Sequence, residues 1–290
     1  MKLLFKFNLV FLLLFMAGIA ACGYITRDLL QRNAREEIAE NARLLMANAL
    51  AVRAYTSGQI KPLLDTQMKY TFLPQSVPAF SATEVFNDLR KKYPEYSYKE
   101  AMLNPTNPRD RAVDWEADLI SQFRNGTASS ELFGERFTPS GGSLYFARPL
   151  KVADPACLLC HSTVEIAPRT MVDKYGPANG FGWNLNDIVG AQIISVPTAV
   201  PLARAERAFR TFMISLAGVL VTIGFVLNLL LYWMFIRPVT RISKLADRVS
   251  LGELDAADLN VRSGDEIQTL AESLARMRKS MAQALQLLGS

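Results

Sequence analysis

Two uncharged apolar runs limit what this 290-residue chain can fold into. Phe7 to Thr26 lies between Lys2 and Lys6 on one side and Arg27 on the other, and Thr211 to Ile236 lies between Arg210 and Arg237. Each is long enough to cross a hydrocarbon core as a helix, the second with some tilt. Tyr232 and Trp233 stand near the end of the second run, where amphipathic rings favour the membrane interface. Basic residues precede the first run, and Arg237, Arg241 and Lys244 follow the second, so the excess of positive charge places both termini in the cytoplasm. A composition 50% hydrophobic with net charge +5 fits a two-pass membrane protein with a polar domain between the spans, and nothing in it asks for a nucleic-acid partner.

The first run has a rival reading. A basic start, a short apolar stretch and small residues also describe a secretory leader, and Ile19-Ala20-Ala21-Cys22 has the form of a lipidation site at Cys22. Against cleavage, apolar and then helical sequence continues through Gly23-Tyr24-Ile25 and Asp28-Leu29-Leu30 without a break.

Between the spans stands Cys157-Leu158-Leu159-Cys160-His161, the C-x-x-C-H signature of c-type haem attachment. Two thiols at this spacing add to two vinyl groups of one porphyrin, and the histidine is the proximal iron ligand. A redox disulfide or half of a zinc site is the alternative. The chain has three cysteines and one histidine, so zinc would need carboxylates or the distant Cys22 to complete its shell. A thioredoxin-type pair is expected in a βαβ setting, whereas this motif follows the loop Val152-Ala153-Asp154-Pro155-Ala156. One covalent haem c per chain is the expectation, attached on the outer side of a bacterial inner membrane.

The organisation read from the chain is a cytoplasmic N-terminus at 1–6, spans at 7–26 and 211–236, an outer domain at 27–210 and a cytoplasmic helical segment at 237–290. Apolar residues at helical spacing (Ile38, Ala42, Leu45, Ala49, Val52) predict a helix from Thr26 to about Ser57, continuous with the first span. Short helices are expected around Ala82 to Lys92 and Trp115 to Phe123, with strands at Gly142 to Leu150 and Ile188 to Val196. Tyr175 to Trp183, rich in glycine, reads as a tight aromatic loop.

These pieces, in their order, carry a resemblance. Leu103-Asn104-Pro105-Thr106-Asn107, Trp115-Glu116, the strand ending at Arg148-Pro149-Leu150, Cys157 to His161 and Gly180-Phe181-Gly182-Trp183 are similar to the extracytoplasmic c-haem sensor modules with a PAS-like fold. The resemblance implies an α+β domain and places Arg148 and Trp183 beside the haem. Soluble members carry a cysteine in the first long helix, where Ala51-Val52-Arg53-Ala54-Tyr55 puts Tyr55 in its place. Since His161 is the one histidine, the sixth iron position falls to Tyr55, to Met46 or Met68 in reserve, to another side chain, or to nothing. The bland reading of Tyr55 is a ring packed in the core.

After the second span, Arg237-Pro238-Val239 opens a segment that resembles a HAMP linker, the parallel coiled-coil relay of bacterial receptors. Its first helix carries Val239, Ile242, Leu245 and Val249, its connector begins at Gly252, and a second helix follows Ser263-Gly264-Asp265-Glu266. Ile267, Leu270, Leu274, Met277, Met281, Ala284 and Leu288 recur at threes and fours, the seam of a coiled coil, which implies a parallel homodimer. No stretch beyond that helix has room for a kinase or cyclase, so the output is expected from a separate cytoplasmic partner. The function expected is that of a haem sensor of redox state or a diatomic gas, and not of an enzyme. The alternative is a membrane-anchored electron carrier, which has no use for a bistable cytoplasmic bundle.

Overall fold

The computed structural model describes residues 3–128, 130–139, 141–253 and 264–288. It divides into two units, Thr26–Phe209 and a second made of Met1–Ile25 with Arg210–Ser290. Two helices are long and apolar enough to cross a membrane, and they flank the first unit in sequence. The first is α1, Leu3–Tyr55.

Helix α1 does not stop near Ser57 as its periodicity suggested. It passes through a π-helical turn at Thr56–Ile60 into α2, Lys61–Met68. Pro62 is the reason, because it lacks the N–H that would bond one turn back and the ladder slips by a residue. The same device recurs where α7, Ala199–Leu231, passes through a π turn at Tyr232–Ile236 into α8, Arg237–Ser250, whose second residue is Pro238.

The first unit is α+β in three layers. Helices α3 (Pro78–Lys92) and α4 (Asp114–Arg124) match the expected short helices. Strands β1 (Ser97–Met102) and β2 (Leu132–Thr138) had no sequence forecast, whereas β3 (Gly141–Lys151) and β4 (Ile188–Pro197) did. All pairs are antiparallel, in the order β1-β4-β3-β2. Between β3 and β4 lie two short helices, α5 (Leu158–His161) and α6 (Arg169–Tyr175).

Each sheet face has its own core. On one, Ile38, Ala42, Met46 and Ala49 of α1 and Phe86 of α3 pack on Tyr98, Leu144, Phe146, Ile194 and Val196. On the other, Leu119, Ile120 and Phe123 of α4 pack on Ala101, Ala147, Ala191 and Ile193. Alternation along the strands sends Phe146 to α1 and Ala147 to α4. The small residues on the second face let α4 lie close.

A buried charge cluster ties α1 to the sheet. The Arg53 guanidinium donates to Glu100 Oε1, which also accepts from the Tyr98 hydroxyl, and Gln192 Nε2 donates to that hydroxyl at 3.2 Å. The Glu100 side chain is 2% exposed; Oε1 takes both bonds and Oε2 is buried without a hydrogen-bond partner among the described residues, so losing Arg53 as well would leave the charge unpaired at a high desolvation cost. On the opposite face Lys99 Nζ meets Glu116 Oε2 at 2.6 Å.

In the second unit, α8 packs on α9, Glu266–Leu288, through Ile242, Leu245 and Val249 against Ile267, Ala271 and Leu274. The expected seam meets α8 in part, through Ile267 and Leu274. Ala271 lies inside, whereas Leu270, Met277 and Met281 stay about half exposed. One α8 cannot cover two stripes of α9. The connector from 254 to 263 and the Leu288 side chain lie outside the described residues.

Asp110 supplies a pH prediction. Burial raises its carboxyl to about 6; Arg109 and Lys99 oppose the shift and Glu100 adds to it. The native state therefore holds a proton more tightly than the unfolded one, a stabilisation complete below the ordinary carboxyl value and lost as pH rises toward 6. Asp110→Asn should remove on the order of 2 kcal/mol of this slope between roughly pH 4 and 6. Denaturant midpoints across that range check it, and parallel curves for both proteins refute it.

Candidate haem site

The motif is held at the end of the sheet where β3 leaves it. Asp154 accepts the Ala156 N–H at 2.8 Å and starts a 3₁₀ turn at Pro155–Cys157, which runs straight into α5. Both thiols are thus on one helical stretch, half-buried and free rather than bridged. Burial raises both: Asp154 adds to the shift at Cys157 and Arg53 opposes it, while Lys61 opposes it at Cys160. A redox pair needs a lowered nucleophilic thiol, so the direction speaks against that alternative. Among the described residues no group of three or more His, Cys, Asp or Glu stands together as a metal shell.

His161 is the best-defined side chain of the site. Its Nδ1 lies 2.7 Å from the Gly180 carbonyl oxygen, and the Thr106 hydroxyl stands at 3.5 Å. A carbonyl can only accept, so Nδ1 carries the proton and Nε2 is left with its lone pair, the arrangement of a metal-ligating imidazole. Burial lowers the His161 pKa against the pull of that carbonyl, which also favours the neutral ring. The Trp183 ring stacks on the imidazole with centroids 3.9 Å apart and planes at 13°. The donor set fits a c-type haem: two adjacent free thiols and one oriented imidazole.

The loop that orients the histidine is tied to the motif by backbone bonds, Gly182 N to Ser162 O at 2.8 Å and Trp183 N to His161 O at 3.1 Å. Gly180 has φ +85°, and a Cβ there would fall 1.9 Å from Thr106 Oγ1 and 2.9 Å from Thr106 Cα. Both the backbone conformation and the approach of Thr106 require glycine. Sequence reasoning quoted Thr106 and Gly180 within longer stretches without seeing their roles. Their presence in two separate glycine- and asparagine-rich loops was the available signal.

Of the remaining candidates, Met68 packs against the same small cluster as Cys160, and the others make their contacts elsewhere. Arg148 directs Nε toward Glu131 Oε1 at 4.0 Å. Tyr55 is 60% exposed, not packed in the core. Met46 is in the α1 core, and the Met68 sulfur accepts from Leu73 N at 3.1 Å and Ser76 Oγ at 3.3 Å. Cys160 packs with Phe72, Ala167 and Met171 in a third small core.

The Tll0287-like family model matches residues 31–197, more than half of the chain, and a HAMP domain model matches 230–283. The chain belongs to the Tll0287-like family. No curated protein matches it. Among solved structures, the cyanobacterial heme-protein Tll0287 is similar at 16% identity, with 56% of this chain and 95% of that chain covered and a TM-score of 0.43. The sensor-plus-HAMP architecture expected from the motifs is therefore present, and the match ends at Pro197, the last residue of β4.

Replacing Gly180 by Ala should displace the loop and release the His161 ring. Thr106→Ala in the same chain should restore little, because the Thr106 Cα stands in the way as well as its hydroxyl. The readout is the Soret position and the yield of haem on the chain; a wild-type Soret band for Gly180→Ala would contradict the role given to this glycine.

Proposed function

We propose that this Tll0287-like protein is a membrane receptor whose domain between the spans holds one covalent haem c and reports redox state or a diatomic gas to a HAMP segment. The observation that carries the reading is the His161 ring, fixed at Nδ1 by Gly180, stacked on Trp183 and one residue from a free thiol. In it, Cys157 and Cys160 anchor the macrocycle and His161 Nε2 takes the proximal position. When bound, haem c supplies an iron that changes oxidation state and, where a coordination position is open, takes up NO, CO or O₂.

Charge placement supports a bacterial inner membrane with the haem domain on the outer side, where haem c is attached. The sheet, in which the first and last strands are neighbours, supports the PAS-like reading. The chain's own part in signalling falls to α1. Arg53 is bonded to Glu100 on the sheet, and the same helix contains the first apolar span. A change at the motif that alters the Arg53–Glu100 pair would act directly on that helix. The half-exposed stripe Leu270, Met277 and Met281 supports a parallel homodimer that covers it, and the output belongs to a separate cytoplasmic partner. The reading gives the chain no catalytic residue.

Haem should stay with the polypeptide through acid-acetone extraction and denaturing electrophoresis. Cys157→Ala with Cys160→Ala should lose that stain, and covalent haem on the double variant would overturn the assignment. Oxidised and reduced spectra with and without NO and CO then separate gas sensing, which changes the spectrum, from redox sensing.

A single cysteine at Met281 should form a disulfide with its own copy in membranes, and one at Lys279, off the stripe, should crosslink poorly. Equal yields at the two positions would rule out the seam.

A further inference from the structure

Within the two apolar spans there are two carboxamide side chains, Asn8 and Asn228, and they bond to each other. Asn8 Nδ2 donates to Asn228 Oδ1 at 2.9 Å, and Asn228 Nδ2 donates back to Asn8 Oδ1 at 2.7 Å. The second N–H of Asn228 goes to the Gly224 carbonyl of its own helix at 2.9 Å. Both amides are half-buried while most of the surrounding span faces outward. At 1.5 Å per residue Asn228 lies about 13 Å from Arg237 and Asn8 about 3 Å from Lys6, so the pair stands in the half of the spans next to these two cations, where each amide supplies the other's partner.

Two close approaches extend the same register. A Cβ at Gly224 would stand 3.6 Å from Phe15, and one at Gly23 would stand 3.3 Å from Met213. The contacts 8 with 228, 15 with 224 and 23 with 213 run in opposite directions along the two helices, as one antiparallel pair. Leucine-rich surfaces elsewhere in the spans distinguish poorly between registers, since lipid is as apolar as leucine. The amide pair does distinguish, because a slip of one turn moves the groups about 5.4 Å apart and breaks both bonds.

We propose that Asn8 and Asn228 pin the register of the two spans within one chain, so that a signal crosses the membrane as a tilt or rotation of the pair and not by one span sliding along the other. The pin also gives the first apolar run a partner that a cleaved leader would not need, which favours its retention.

The test uses the full chain in membranes with Cys22→Ser and a short bis-maleimide. Phe15→Cys with Gly224→Cys is the native pair, and Phe15→Cys with Leu220→Cys is one turn out of register. With both asparagines present, the native pair should bridge within one chain and the shifted pair should stay at background. With Asn8→Leu and Asn228→Leu, which keep the spans apolar enough to insert, bridging of the shifted pair should rise by roughly tenfold, the loss of two interhelical amide bonds. Asn228→Leu alone gives the same readout if the double variant accumulates poorly. A shifted pair that stays at background in both Leu variants would overturn the proposal, as would bridges that join two chains. Run on ferricyanide-oxidised and ascorbate-reduced membranes, the native pair should bridge equally; transfer of yield to the shifted pair on reduction would mean sliding. The redox comparison rests on the haem reading and the register comparison does not, so the two fail separately.

Discussion

The fold of the Tll0287-like domain depends on one helix burying one stripe against one sheet. In α1 the first half has no buried face, and from Ala34 onward a stripe of Ala34, Ile38, Ala42, Met46 and Ala49 turns inward. The recurrence at fours and a three is a helix seen from one side, and the change from all-round apolar to one-sided marks where lipid gives way to protein as the surroundings. Phe146 and Ile194 fill the sheet side of that contact, so a large-to-small change there would cost about 2–5 kcal/mol. At the far end of the stripe Arg53 and Glu100 add a polar bond that is either complete or costly, which fixes the rotation of the helix over the sheet.

That arrangement places the haem motif without any of its residues contributing to the sheet. The chain leaves β3 at Lys151, makes the short turns that carry Cys157 to His161, and returns through the glycine loop to β4 at Ile188. The backbone bonds of Gly182 and Trp183 close this excursion on itself. The imidazole is thus oriented by a carbonyl from the returning arm of the same loop. A site of this kind is precise where it is local, which explains why the five residues of the motif needed so little of the fold to be legible.

What could be read from sequence divides along the same line. Amphipathic helices are signals of short range, and α3 and α4 lie within a few residues of the expected bounds. Strand β1 was missed because Tyr98 and Glu100 face one core while Lys99 faces a buried carboxylate on the other, so charge interrupts the hydrophobic alternation on both faces. Edge strand β2 carries Gly134, Glu135 and Arg136, and its pairing is set by β3, far along the chain. In the HAMP segment Ala271 was not among the expected contacts; it is small enough to lie against α8, whereas Leu270 beside it faces outward within one chain. Asn8 and Asn228 passed unnoticed because a search for charge does not register an amide, and only their pairing shows why they are tolerated.

The distal side of the iron follows from the same accounting of partners. Under the haem reading, Met46 would have to leave a core in which it is 1% exposed, at the cost of a cavity between α1 and the sheet. Met68 would have to give up the Leu73 N–H, while the Ser76 hydroxyl keeps the Leu73 carbonyl oxygen at 2.8 Å. Tyr55 has neither obligation: it is exposed, it has no hydrogen-bond partner among the described residues, and the π turn that begins at Thr56 gives the backbone beside it a place to adjust. Of these three side chains, Tyr55 is the one that gives up neither a core position nor a hydrogen bond on moving.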